Sequence, residues 1–186
     1  MVEYYFDIET HSPGEKPNIA QDKIITIQYQ ELSADGNPRG QSQILTECDS
    51  GSEKALLESF AKVFLTENPW AFVPVGFNLY GFDLISFLVR YNHHFGTNYG
   101  LQWLYDKPVF DIKPVLIMME RGFIGCGDIF GKRYPNPVKA WYESGQPGRA
   151  QIIGYVAGEA ARFVQVYQNL KWEIPRLKES LKKVVA

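Results

Sequence analysis

The sequence predicts a layered α/β domain. Its first third reads as strands joined by turns, two later segments carry apolar residues at helical spacing, and a buried-strand segment at 70–76 runs directly into the second of those helices. At 186 residues and 21.3 kDa the chain has the size of one compact domain, so 1–186 is read as a single unit.

Each element has its own signal. From Val2 to Glu9, the side chains of Tyr4, Phe6 and Ile8 project to one face and those of Tyr5, Asp7 and Glu9 to the other, which is the alternation of a strand. Lys23 to Gln30 is rich in β-branched residues, and the Asp35-Gly36-Asn37-Pro38 turn lets Gln41 to Thr46 pair back as a third strand. Ser50 and Glu53 have the spacing of a capping box, and Leu56, Leu57, Phe60, Val63 and Phe64 then form the apolar stripe of a helix over 52–66. Trp70 to Gly76 reads as a buried fourth strand, and Phe82, Ile85, Leu88 and Val89 mark a helix over 81–91. Val109 to Ile112 supplies a short fifth strand and 113–120 a short helix. Two further helices are expected over 150–170 and 174–184, with Pro175 in the first turn of the last. From Gly122 to Arg149 the periodicity dissolves into six glycines and three prolines, which reads as a loop of a length that in compact domains is often functional.

Hydrophobic residues at 45% and charged residues at 22% exclude a disordered or fibrous chain. No apolar run approaches the roughly 18–20 residues of a membrane helix, and no basic stretch followed by an apolar one opens the chain. A soluble, cytoplasmic protein without membrane contact is therefore expected. Cys48 and Cys126 suggest neither a disulfide framework nor a cysteine zinc site. The net charge of -2 is unevenly spread, with 11 acids against 4 bases in residues 1–60 and 10 against 15 in the remainder. An acidic region beside a basic one suits an enzyme that holds cations with carboxylates and a polyanion with Lys and Arg.

The acids fall into a pattern. Asp7 and Glu9, at i and i+2 on a strand, aim two carboxylates the same way, and such a pair repels unless a cation lies between. Asp83 opens an apolar helix just after a buried strand, where α/β folds build sites and a helix N-terminus favours the ionised carboxylate. Gly76, Asn78 and Gly81 around it are more than an ordinary acidic first turn requires. Tyr155 and Glu159, at i and i+4, share a helix face.

Taken in order, Phe6-Asp7-Ile8-Glu9-Thr10, then Gly76-Phe77-Asn78 leading to Phe82-Asp83, then Tyr155 with an acid four residues on, resemble the three motifs of the DEDD 3′-5′ exonucleases. The tyrosine resembles the DEDDy branch, and the wording from Asn78 to Arg90 most resembles the proofreading domain of family-B DNA polymerases, without a polymerase domain in these residues. The resemblance covers nearly the whole chain. It implies an RNase H-like fold, a mixed five-stranded sheet flanked by helices, with the motif acids meeting over the central strands. It also implies a metal-dependent 3′-5′ exonuclease that hydrolyses the terminal phosphodiester of single-stranded nucleic acid, with replication or repair proteins as partners; DNA is the leading substrate and an RNA-processing nuclease of the same fold the alternative, since no residue pattern reports contacts to a 2′-OH.

The ligands implied for two Mg²⁺ or Mn²⁺ ions are Asp7, Glu9, Asp83 and Glu159, with Tyr155 orienting the attacking water. Thr10, Phe77, Asn78, Tyr80 and Phe82 are the implied contacts to the terminal nucleotides, core packing being the weightier reading for Phe82. Separately from the resemblance, the glycine-rich segment is expected to contact phosphates through some of Lys132, Arg133, Lys139 and Arg149. The chain departs from the family at Glu159, where the family has Asp. Asp128 is the alternative acid, and Glu159→Asp is expected to keep or raise activity by restoring the shorter arm. The same departure motivates a second reading, a catalytically weak exonuclease-like module that binds nucleic acid or a repair protein.

Overall fold

A computed structural model of the chain describes residues 1–14, 18–120, 125–130 and 136–185. The strands are β1 (Glu3–His11), β2 (Lys23–Leu32), β3 (Pro38–Thr46), β4 (Val73–Gly76) and β5 (Phe110–Asp111). They form one sheet in the order β3-β2-β1-β4-β5. β1 pairs antiparallel with β2, β2 antiparallel with β3, and the β1, β4 and β5 contacts are parallel. The expected mixed five-stranded sheet is therefore present, with β1 at its centre.

The two faces of β1 do different work. Phe6 and Ile8 point into a core shared with α2 (Glu53–Phe64), α3 (Asp83–Phe95) and α4 (Leu101–Asp106). Its centre is a set of interlocked rings, with Phe6 stacked 5.2 Å from Phe60 and Phe72 edge-on to Phe60 and Phe64. The opposite face, carrying Tyr5, Asp7 and Glu9, lies under α8 (Gln146–Val185), whose Ala160, Phe163, Val164 and Tyr167 pack on Tyr5 and Val75. The alternation read from the sequence is thus what turns the acids toward the last helix.

Several local expectations change. α2 is capped by Ser52, which accepts from the Ala55 N–H, and not by Ser50. Glu53 is no capping residue: it is buried and accepts from the Ile24 N–H, the Arg90 guanidinium and His94. α3 ends at Gly96, in the left-handed region at φ 64°. The short helices α1 (Glu47–Ser50) and α4 were not foreseen. The expected loop contains α6 (Cys126–Phe130), α7 (Val138–Glu143) and the first turn of α8, while α5 (Lys113–Glu120) matches the short helix expected there. The two C-terminal helices are one, running through Pro175.

Gly76, Asn78 and Gly81 find structural reasons. A Cβ at Gly76 would meet Leu79 Cδ2 at 2.5 Å and the Phe6 carbonyl at 2.7 Å, and one at Gly81 would meet Asn78 Oδ1 at 2.4 Å. Asn78 is the one described non-glycine residue with positive φ, 64°, a conformation asparagine tolerates better than most residues.

Candidate metal centre

Three carboxylates converge. Asp7 and Glu9 from β1 and Glu159 from α8 each offer an oxygen, all within 4.8 Å of one another. Glu9 and Glu159 are 5% and 3% exposed, and Asp7 is half-buried. Three like charges packed this closely and this far from water repel strongly, and hard oxygen donors in such a set fit a hard divalent cation. Glu159 reaches the cluster, while the side chain of Asp128 lies outside the described residues.

Asp83 stands beside this triad. β4 follows β1 in register only as far as Tyr5 opposite Val75, with Gly76 its last residue, so β1 runs on toward Glu9 with that edge uncovered. Asp83, 2% exposed, fills the gap: its Oδ1 accepts from the Ile8 N–H at 2.9 Å, between Asp7 and Glu9 in sequence. It therefore braces the strand that carries the two acids, and it is not one of the three oxygens that meet.

Residues not foreseen surround the triad. Gln28, fully buried and opposite Asp7 in the β1–β2 register, donates from Nε2 to Asp7 Oδ2 at 2.7 Å and accepts from the Thr26 hydroxyl at 3.0 Å. Asn136 donates to Glu9 Oε2 at 3.3 Å. Tyr5 places its hydroxyl 3.5 Å from Asp7 Oδ2, and burial, reinforced by Asp7, Glu159, Asp83 and Glu9, pushes its phenol far up, so it stays protonated. The register shift between Glu9 and Thr10, with Ile25 as the extra residue of β2, bends the strand end immediately after the second acid.

The other expected site residues are distributed around this centre. Thr10 follows the bulge and is half-buried. Tyr155 lies one turn before Glu159 on α8, edge-on to Trp141 with ring centres 5.8 Å apart. Phe77 packs edge-on to Phe130 and, with Tyr5, Phe6, Asp7, Glu159 and Phe163, lines a small cavity of about 30 Å³. Asn78 and Tyr80 are held at the turn after β4, their N–H groups donating to Asp111 at 2.8 and 3.3 Å. Phe82 is half-buried at the N-cap of α3, and Tyr80 is exposed.

Of the four expected phosphate contacts, Lys132 and Arg133 lie outside the described residues. Lys139 donates to the Gly14 carbonyl at 3.2 Å, and Arg149 is paired with Asp49. Arg149 lies on a larger cleft of about 560 Å³ walled by β2, α1, α7 and α8, which includes Thr26 and Tyr142. That cleft is joined to the triad through the Thr26, Gln28, Asp7 hydrogen bonds.

The sheet order and flanking helices define an RNase H-like α/β fold. Solved structures that share it include a structure of exonuclease I concerned with processivity, at TM-score 0.59 and 13% identity, covering 98% of this chain and 43% of that one. Two further matches are from E. coli: the zinc-bound exonuclease I complex with single-stranded DNA, at 0.59 and 14%, covering 98% and 43%, and exonuclease I with a dT13 oligonucleotide, at 0.58 and 14%, covering 97% and 43%. The chain thus spans less than half the length of these proteins. No family model and no curated protein sequence matches it. Among the described residues no helix is long and apolar enough to cross a membrane.

Proposed function

We propose that the protein is a metal-dependent exonuclease that removes nucleotides from the 3′ end of single-stranded nucleic acid, DNA in preference to RNA. The observation that carries this reading is the meeting of Asp7, Glu9 and Glu159 within 4.8 Å on an RNase H-like sheet. The likeness of the three motifs to the DEDDy exonucleases, and of Asn78 to Arg90 to family-B proofreading domains, supports the 3′-5′ direction. The fold shared with exonuclease I, solved with single-stranded DNA in two of the structures above, supports nucleic acid as the partner.

Asp7, Glu9 and Glu159 would hold a divalent ion, Mg²⁺ or Mn²⁺, and Asp83 with Asp7 would serve a second. Such ions supply positive charge against the charge developing on the phosphate and acidify water in the site. The chain does the rest by positioning. Gln28 fixes one oxygen of Asp7, Asn136 steadies Glu9, and Asp83 locks the strand between them through Ile8. Tyr155 would orient the attacking water. An ordinary phenol, with a pKa of about 10, is a poor base at neutral pH. Phe77, beside Asp7 and Glu159, would lie against the terminal nucleotide.

The test is digestion of 3′- and 5′-labelled DNA and RNA oligomers with Mg²⁺, Mn²⁺ or EDTA. A ladder shortening from the 3′ end with metal, and none with EDTA or with folded Asp7→Ala, is expected. Equal cleavage in EDTA or by Asp7→Ala would refute the reading. Metal binding without cleavage would leave a nucleic-acid-binding module, with replication or repair proteins as its context.

A further inference from the structure

The turn after β4 is held by an acid and a cation from the β5–α5 junction. Lys113, the first residue of α5, donates from Nζ to Asn78 Oδ1 at 2.9 Å and stands 5.9 Å from the centre of the Phe77 ring. Asn78 cannot drift, because its side chain lies folded over Gly81, where a Cβ would come within 2.4 Å of Oδ1. Asp111 ties the arrangement together: its carboxylate accepts from the N–H groups of Asn78, Tyr80 and Lys113 itself, at 2.8, 3.3 and 3.1 Å. The Asp111 carboxylate thus accepts from backbone donors, and the Lys113 ammonium rests on a neutral amide oxygen.

Lys107 and Lys139 likewise donate to neutral oxygens, the carbonyls of Phe64 and Gly14, whereas other cations are ion-paired. Lys23, Arg90, Arg149 and Lys171 are each paired with a carboxylate, respectively Glu47, Glu53, Asp49 and Glu3. Lys113, half-buried, has no carboxylate within ion-pair distance among the described residues. A partly buried ammonium held at a fixed point without a direct ion pair is stabilised further by an anion brought to it. Its neighbour on the turn, Phe77, lines the same small cavity as Asp7 and Glu159. Phe77 thus neighbours both the ammonium, 5.9 Å from its ring centre, and the cavity that Asp7 and Glu159 line.

We propose that Lys113, held by Asn78, binds a phosphate of the last linkages at the 3′ end of the strand, and that it is the substrate-binding cation built into the fold. This rests on the nuclease reading for the identity of the strand. Geometrically it rests on a different set of residues from the triad. It also differs from the glycine-rich segment as a source of phosphate contacts, where Arg149 is ion-paired with Asp49.

The experiment is equilibrium binding in EDTA of a 5′-labelled dT20 oligomer to the intact chain, followed by anisotropy over a range of salt. Lys113→Met should weaken binding about threefold to tenfold and reduce the slope of log K against log salt by about 0.7, the share of one single-strand phosphate contact. Lys113→Arg should restore the slope. Lys113→Met should cost nothing further on a dT20 whose last two linkages are neutral methylphosphonates. If Lys113→Met fails to fold, Lys113→Gln carries the same expectations. An unchanged slope, or an equal loss on the charged and neutral-ended oligomers, overturns the proposal while leaving the digestion result untouched. Conversely, loss of slope in a protein that cuts nothing would sustain this site and remove the nuclease reading.

Discussion

A carboxylate triad that serves a cation should burden the protein when the cation is gone. At 4.8 Å and an effective dielectric of about 20, two unit charges repel by about 3 kcal/mol, and Glu159 faces two such partners. Water at half-exposed Asp7 and the amide donors Gln28 and Asn136 offset much of this, leaving about 2 kcal/mol of net relief when Glu159 loses its charge. Glu159→Gln keeps the shape and removes the charge. For a chain of this size about 2 kcal/mol corresponds to a rise of roughly 4–8 °C in melting temperature. The assay is thermal unfolding of wild type and variant, each in EDTA and across a Mg²⁺ or Mn²⁺ titration. Wild type should gain about 2.7 kcal/mol at a hundredfold excess of metal over Kd. Glu159→Gln should start higher in EDTA and gain much less. A variant that melts below wild type in EDTA, or that keeps the whole metal-induced shift, would refute the reasoning.

Three other outcomes follow from buried contacts. Gln28→Met removes the donor on Asp7 and should weaken metal binding about tenfold by calorimetry, at a stability cost of about 1–2 kcal/mol; unchanged affinity would make Gln28 a packing residue only. Glu53→Ala strands the Arg90 guanidinium and the Ile24 N–H in the core and should cost about 3–5 kcal/mol in urea unfolding, so a loss below about 1 kcal/mol would contradict the pairing. Lys107 is buried against the Phe64 carbonyl and the Phe64 and Trp103 rings, and burial pushes its ammonium down to about 8. Between that value and the ordinary Lys range the unfolded chain binds the extra proton. Stability should therefore rise with pH from about 8 to 10, and Lys107→Met should lack the rise in parallel denaturation series.

What the sequence made legible was whatever depends on one element at a time. The period of two in β1 put Asp7 and Glu9 on one face, and the helical spacing of α8 put Tyr155 and Glu159 on one side. What it hid depends on pairing across the chain. Gln28 meets Asp7 only through the β1–β2 register, and the 11 residues from Ser12 to Asp22 between those strands are too long a connection to fix a register in advance. Glu53 looked like a capping residue because its partners Arg90 and His94 lie about forty positions away. α7 forms in a glycine- and proline-rich stretch because Val138, 1% exposed, is packed on Ile25, Ile152 and Val156, a tertiary contact that outweighs weak local propensity. Arg149, read as a phosphate contact, is paired with Asp49 about a hundred positions away, a contact no local pattern discloses.

At Glu159 the motif and the structure give different expectations about side-chain length. By motif alone, Glu159→Asp restores the family's shorter arm and should preserve or raise activity. The structure gives the opposite expectation. The glutamate oxygen already lies within 4.8 Å of those of Asp7 and Glu9, and the side chain is 3% exposed, so its full length is what carries the charge from the α8 backbone to the triad. Removing one methylene withdraws the carboxylate by about 1.5 Å and leaves a small void in a site that α8, packed on Tyr5 through Ala160 and Phe163, is not free to close. Ligand placement at that scale governs both affinity and alignment. Glu159→Asp should therefore bind Mg²⁺ or Mn²⁺ about tenfold more weakly by calorimetry and hydrolyse more slowly at saturating metal. An aspartate variant that binds metal as tightly as wild type would show that α8 can approach the sheet, and that the distance from α8 to β1 did not select the longer residue.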